Sequence, residues 1–240
     1  IRDRLNPGKG DGAFVPMNWN RKTYLQGKLI YRHSPFTKLK YTLINDDVSY
    51  QDYNRMYRYN PDGNLKRYRY GLTQLLQLNH TFSTKTFLNA GITHFKKSYQ
   101  HRTYDRDKWD QYVHPKLLNS QPYSFLTGGT DLSVFSRETS TSTFKADLTS
   151  QWNSKNKIKL GVEFRQHQLN FNDYSLRPPD EKASFNELSD DPFLGNPQRF
   201  PDSTIYSSTY NFKPIEFSAY VQDKIELNEL IINLGVRLDY

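Results

Sequence analysis

With 240 residues, the chain has room for one large β domain or two small ones. A net charge of +8, 35% hydrophobic residues and a mean hydropathy of -0.86 are polar values, but 18 Tyr and 15 Phe in alternating stretches argue for β-structure over disorder. The absence of Cys excludes disulfides and thiolate metal sites, and no apolar run is long enough for a signal peptide or transmembrane helix. The positive balance suits an anionic partner, either nucleic acid or an anionic lipid surface, without choosing between them. The chain starts at Ile1 without an initiator Met and stops on a strand pattern, and so reads as an excised piece of a longer protein.

Residues 1–22, with Asn6-Pro7-Gly8, Gly10, Gly12 and Pro16, lack periodicity and read as a loop. Alternation then predicts a strand from Tyr24 to His33 with Leu25, Leu29 and Tyr31 on one side, and a short turn at Ser34-Pro35-Phe36-Thr37. The next strand, from Lys38 with Leu39, Tyr41 and Leu43, is expected to run towards Tyr59 and end at the turn Asn60-Pro61-Asp62-Gly63-Asn64. Its return carries Tyr68, Tyr70, Leu72, Leu76, Leu78 and Phe82 on one face, interrupted by Gln74. A fourth strand follows the turn at residues 83–86 and extends to about Tyr104; it carries Leu88, Ala90 and Ile92, with Phe87 and Phe95 on the opposite phase.

Residues 105–140 read as a long connection. A fifth strand holds Phe144, Ala146, Leu148 and Trp152, and a sixth, after the turn at residues 153–156, holds Ile158, Leu160, Val162 and Phe164. The apolar phase lapses at Gln166 and Gln168, as for a strand that leaves an apolar environment and continues into water. From about Ser175 to Pro214, six prolines and the acidic stretch Asp180 to Asp191 mark a second long connection.

The last twenty-six residues are the clearest. Ile215, Phe217, Ala219, Val221, Ile225 and Leu227 alternate with Glu216, Ser218, Tyr220, Gln222, Lys224 and Glu226, and after Asn228-Glu229 the pattern resumes with Leu230, Ile232, Leu234, Val236, Leu238 and Tyr240. A two-residue loop sets Leu227 opposite Leu230, Ile225 opposite Ile232, Val221 opposite Val236, Ala219 opposite Leu238 and Phe217 opposite Tyr240. Asp223, opposite Leu234, is the one charge on the apolar phase, and nothing in the sequence accounts for it.

The fold class this implies is all-β: an antiparallel up-and-down meander of about eight long strands, part of a larger transmembrane β-barrel. Tight turns near residues 35, 84, 154 and 228 alternate with long excursions near 62, 120 and 195, so one rim carries short turns and the other long loops. The stripes at 217–227 and 230–240 match the roughly 9–11 tilted residues that cross the hydrocarbon. Glu216, Lys224, Glu226 and Arg237 would then face the lumen, with Trp152 and Tyr240 in interfacial girdles.

Ala219-Tyr220-Val221-Gln222-Asp223-Lys224 followed by Asn233-Leu234-Gly235-Val236-Arg237-Leu238-Asp239-Tyr240 resembles the barrel hairpin of TonB-dependent outer-membrane receptors, particularly their Bacteroidota-type branch. Tyr57-Arg58-Tyr59-Asn60-Pro61-Asp62-Gly63 and Gly128-Gly129-Thr130 with Arg137 are similar to that branch less specifically. The resemblance implies a 22-stranded barrel around a plug, energised from the inner membrane and importing a scarce nutrient, in the outer membrane of a Gram-negative bacterium. Residues 1–240 would be a partial barrel domain, a loop over 1–22 and barrel strands and loops over 23–240, with no plug or TonB box in this sequence. The partners it implies are membrane lipid and lipopolysaccharide, the plug and the rest of the barrel, the TonB complex and the nutrient, whose class (siderophore, oligosaccharide or peptide) stays open; the expected cofactor is none.

His33, His80, His94, His101, His114 and His167 form no ligand spacing and read as polar strand or loop residues. Asp105, Asp107 and Asp110 lack the glycine and terminal glutamate of a calcium loop. The acidic run Asp180, Glu181, Glu187, Asp190 and Asp191 reads as a solvated outer loop, with attraction of a cationic ligand as the sharper alternative. Arg55, Tyr57, Arg58, Tyr59, Lys66, Arg67, Tyr68, Arg69 and Tyr70 read as a hairpin above the membrane, against stacking of sugars or contact with lipopolysaccharide phosphates, and nucleic acid is disfavoured. No nucleophile, base and orienting group recur at interpretable spacing, so no enzyme is expected; ligand-binding residues stay unknown. The rival readings are a secreted soluble β-sandwich that binds carbohydrate and a complete eight-stranded barrel with a structural or adhesive role.

Overall fold

The computed structural model describes residues 15–112, 125–126, 129–177 and 197–240. They form one antiparallel sheet in the order β1 (Trp19–Ser34), β2 (Thr37–Gln51), β3 (Lys66–Ser83), β4 (Thr86–Arg102), β5 (Ser133–Gln151), β6 (Asn156–Arg177), β9 (Ile215–Glu226) and β10 (Ile231–Asp239). Two shorter strands, β7 (Gln198–Arg199) and β8 (Ser207–Phe212), also pair with β6 and bring the sheet to ten strands. β8 and β9 keep one register on β6, with Leu169 opposite Phe212 and Gln166 opposite Ile215. They are one strand interrupted at Pro214, whose ring removes a ladder donor; the Pro214 carbonyl still accepts from His167 N at 2.9 Å.

The terminal hairpin has the expected register throughout, from Leu227 N donating to Leu230 O at 2.8 Å to the reciprocal bonds between Phe217 and Tyr240. The short turns are closed by their own side chains: Ser34 Oγ accepts from Phe36 N, Ser83 Oγ from Lys85 N, and Asn153 Oδ1 from both Lys155 N and Asn156 N.

Several boundaries differ from expectation. β1 begins at Trp19, inside the segment expected as loop, while the remainder of that loop before residue 15 lies outside the described residues. β2 stops at Gln51, and two 3₁₀ turns, Arg55–Tyr57 and Pro61–Gly63, replace its expected extension to Tyr59. β5 begins at Ser133, within the segment expected as connection, and β7 and β8 lie inside the second connection, so ten strands stand where about eight were expected. The early start of β5 has a local cause: from Ser136 to Thr143 every residue is polar, so this part of the strand carries no hydrophobic period.

The sheet has almost no interior. One hydrogen-bonded row crosses it as Leu29, Tyr41, Leu76, Ile92, Phe144, Phe164, Phe217 and Tyr240. Next to it runs Tyr31, Leu39, Leu78, Ala90, Ala146, Val162, Ala219 and Leu238. Both rows lie on one face, and Leu29, Leu76, Ile92, Phe144, Phe164, Phe217, Val236 and Leu238 are exposed. Each such side chain forgoes part of the roughly 1.5–3 kcal/mol that full burial contributes in water, and a continuous apolar belt across eight strands is a surface that soluble monomers rarely carry. Val221 is 47% and Leu227 43% exposed, and no second sheet covers them. That excludes the two-layer sandwich for the described residues. β1 pairs only with β2 and β10 only with β9, so the sheet does not close on itself as a complete eight-stranded barrel would.

The compact packing among described residues lies at the long-loop end, where Tyr112, Val134 and Leu176 are buried against Tyr104, Trp109, Leu132 and Tyr174. Asp223 also finds a partner: Asn156 Nδ2, across the strand pair near the short-turn rim, donates to Asp223 Oδ2 at 2.7 Å. Its other oxygen is buried without a hydrogen bond.

Candidate functional site: the polar face of the sheet

The alternation that builds the apolar belt sends every intervening residue to the opposite face. At belt height, that face holds a charged lattice. Lys145 lies 3.7 Å from Asp147 and 3.9 Å from Glu163, and Arg165 pairs with Glu163 and, at 3.2 Å, with Glu216. Tyr220 Oη donates to Asp147 Oδ1 at 2.8 Å, with its ring over Gly161. Lys224 pairs with Glu226 and Arg237 with Asp239 on this same face. Such exposed pairs contribute only about 0–1 kcal/mol each. Their significance is location, because the same charges at mid-depth in hydrocarbon would cost about 2–4 kcal/mol apiece for Arg or Lys.

Towards the long-loop end, the polar face changes character. Its register rows read Arg69, Tyr99, Arg137, Phe171, Tyr210, and next to them Arg67, His101, Phe135, Asp173. The rings form a ladder across β4, β5, β6 and β8. His101 stacks on Phe135 at 5.2 Å, Phe135 meets Phe171 edge-on at 5.4 Å, Phe171 stacks on Tyr210 at 4.9 Å with 4° between planes, and Tyr210 continues to Phe212 at 5.3 Å. Offset and edge-on pairs of this kind add about 0.5–1.5 kcal/mol each beyond burial. Burial, reinforced by the Arg67 guanidinium, holds His101 below the ordinary histidine range against the pull of Asp131 and Asp173, so its imidazole is neutral at pH 7 and stacks as an uncharged ring.

Among the cations of this wall, Arg67 pairs with Asp52 at 3.2 Å and Arg69 lies over the Tyr50 ring at 5.2 Å. Arg137 and Lys97 make no hydrogen bond or ion pair among the described residues, and both are exposed. Sequence reading flagged Arg137 only as part of a motif and missed Lys97, Phe135 and Phe171. Cations and rings alternate along this row only across strands, so no local pattern could reveal them.

The basic and aromatic cluster expected over Arg55 to Tyr70 is divided. Arg67 and Arg69 belong to the wall, while Lys66, Tyr68 and Tyr70 fall on the opposite face, with Lys66 over the Tyr104 ring and Arg102 over Tyr68. Arg55 and Arg58 cap the Phe125 ring, which Tyr59 meets edge-on at 5.2 Å. Here the two outer-loop motifs noted in the sequence come together. Asn60 Nδ2 donates to Gly129 O at 2.6 Å, Asp131 N to Gly63 O at 2.9 Å, and Leu126 N to Met56 O at 2.7 Å. Gly63 is needed for the approach, because a Cβ there would overlap the Gly129 carbonyl. Tyr57, buried beneath this clasp, is pushed up to about 12 by burial and by the nearby Asp131 carboxylate.

The histidines are dispersed. His33 contacts Tyr31, His80 contacts Thr37 at 2.8 Å, His94 contacts Ser142 at 3.0 Å, His101 contacts Ser133 and His167 contacts Thr141 at 2.9 Å; His114 lies outside the described residues. Asp105 pairs with Arg102, whereas Asp107 and Asp110 are exposed on a 3₁₀ turn. No three His, Asp or Glu gather as a metal-binding group among the described residues. The acidic run at 180–191 lies outside them.

No protein-family model matches the chain, and no curated protein matches it significantly. Solved structures do. The chain superposes on the outer membrane transporter YddB from Escherichia coli with a TM-score of 0.59 and 16% identity, over 93% of its own length and 27% of that chain. On Pseudomonas aeruginosa FpvA, solved bound to heterologous pyoverdines, the TM-score is 0.54 at 14% identity, over 93% of this chain and 30% of that one. The fold that the chain shares with them is an open antiparallel β meander, a segment of a larger β-barrel. The chain spans less than a third of the length of either protein.

Proposed function

We propose that the chain is the barrel segment of a TonB-dependent outer-membrane transporter that takes up a nutrient across the outer membrane of a Gram-negative bacterium. The observation that carries this reading is the apolar belt on one face of all eight long strands, backed by a charged lattice on the other. Only a lipid surround makes the first favourable, and only an interior away from lipid makes the second so. The unpaired edges at β1 and β10 support a reading in which further barrel strands complete them, with residues 23–240 a partial barrel domain around a plug.

The resemblance of the terminal hairpin to the Bacteroidota-type branch belongs to this proposal, as do TonB coupling, lipopolysaccharide around the belt, and a transport rather than an enzymatic role. The test uses the full-length protein in its own cell. Fractionation should place it with the outer membrane, and deletion should abolish growth on a limiting nutrient in the same way as loss of TonB. Recovery in the soluble fraction without detergent would overturn the membrane reading. Uptake that is indifferent to TonB would overturn the energised one.

A further inference from the structure

The wall at the long-loop end carries more cationic and aromatic chemistry than a barrel needs in order to stand. The belt-level lattice on the same face is charge-balanced, with Lys145, Arg165 and Arg237 each facing a carboxylate. Above it, Arg137 and Lys97 have none among the described residues, and Arg69 has only the Tyr50 ring. Arg69 and Arg137 share a register row two strands apart, roughly 10 Å. Lys97 is the diagonal neighbour of Arg137 at roughly 7–8 Å. Between and beside these cations the Tyr99, Phe135 and Phe171 rings stand on the same face of the sheet, packed against one another. Unpaired cations at these spacings match separate anionic groups on one small scaffold, and the ring ladder matches a flat ring between them. The carboxylates on this wall do not neutralise it: Asp46 is held by Lys22 at 3.4 Å, and Asp173 stands one row further towards the loops.

We propose that this wall, built by Lys97, Arg137 and Arg69 around the ladder from Tyr99 to Tyr210, binds a ligand that carries two or more anionic groups on a ring scaffold. The proposal rests on the transporter reading, because only there does this face line the path of a nutrient. Carboxylated or sulfated sugar rings and carboxylated aromatic rings share the chemistry, and the probes separate them.

The experiment is calorimetric binding to the full-length protein in detergent. The probes are tetragalacturonate, a sulfated tetrasaccharide and the iron(III) complex of a carboxylated catechol, each beside its uncharged counterpart. At least one anionic probe should bind, and the one that binds tells sugar from aromatic. Its uncharged counterpart should bind at least tenfold more weakly. Arg137→Ala and Lys97→Ala should each weaken the anionic probe about tenfold or more, Arg137→Lys should recover part of the loss, and rising salt should weaken binding. Far-UV circular dichroism checks that each variant keeps its β-sheet.

Silence from all three anionic probes would overturn the proposal, as would equal binding of the neutral counterparts or unchanged affinity in both alanine variants. Those results leave the transporter reading standing if deletion still abolishes TonB-coupled growth, so the two fail separately.

Discussion

Replacing Val221 by Arg tests which face meets lipid. Val221 lies opposite Leu160 and Val236, midway between Phe217 and Ile225 on β9, and is 47% exposed on the apolar face. In a bilayer its surroundings are acyl chains, so a guanidinium there costs about 2–4 kcal/mol, a roughly thirty- to thousand-fold drop in the folded-to-unfolded ratio. Ser218, three positions away on the same strand, faces the other way and stands opposite Glu163 and Asp239. An Arg at 218 gains two carboxylate neighbours and should stay within about 0.5 kcal/mol of wild type. The assay is urea unfolding of the full-length protein in lipid vesicles, followed by tryptophan fluorescence. If Ser218→Arg costs as much as Val221→Arg, or more, the assignment of faces is wrong and the transporter reading falls with it.

Three further substitutions test local geometry. Gly161→Ala places a Cβ into the Tyr220 ring and towards Asp147, and should destabilise by about 1–3 kcal/mol in the same unfolding assay, with Tyr220→Ala restoring part of the loss. Gly63→Ala forces the Gly129 carbonyl away and should open the clasp between the two outer loops, seen as faster hydrogen exchange at Leu126 and Asp131 with exchange in the β9–β10 hairpin unchanged. Tyr57 retains its proton in the folded state between its ordinary value and about 12, while the unfolded chain loses it. The folded state therefore holds its full advantage below pH 10 and loses about 2–3 kcal/mol at the clasp as pH rises towards 12; Tyr57→Phe should remove that part of the alkaline loss, read by hydrogen exchange of the same loops.

The faces of the sheet and the register of the last hairpin were legible from sequence, because side-chain alternation has a period of two and each strand states its own phase. Leu227, Leu230, Val221 and Val236 suffice to align β9 with β10. The long-loop end was not legible in the same way. Ser136–Thr143 has no apolar residue, and Ser207–Phe212 is six residues long, too short to state a phase; their hydrogen bonds come from a partner strand already in place. The calcium-like spacing of Asp105, Asp107 and Asp110 illustrates the converse, as proximity in sequence put only Asp105 into an ion pair, with Arg102.

By itself the sequence determined that, at belt height, one side of each long strand is greasy and the other polar, and that tight turns and long loops occupy opposite rims, because these follow from neighbours along the chain. Tertiary structure alone decided that Asn156 answers Asp223, that Asn60 reaches Gly129, and that Arg69, Arg137 and Phe171 share one row. The residues in each of these contacts are 67, 69 and at least 34 positions apart. Such contacts exist only once the hydrogen-bond ladders between successive strands have set their register, which no stretch of chain specifies alone.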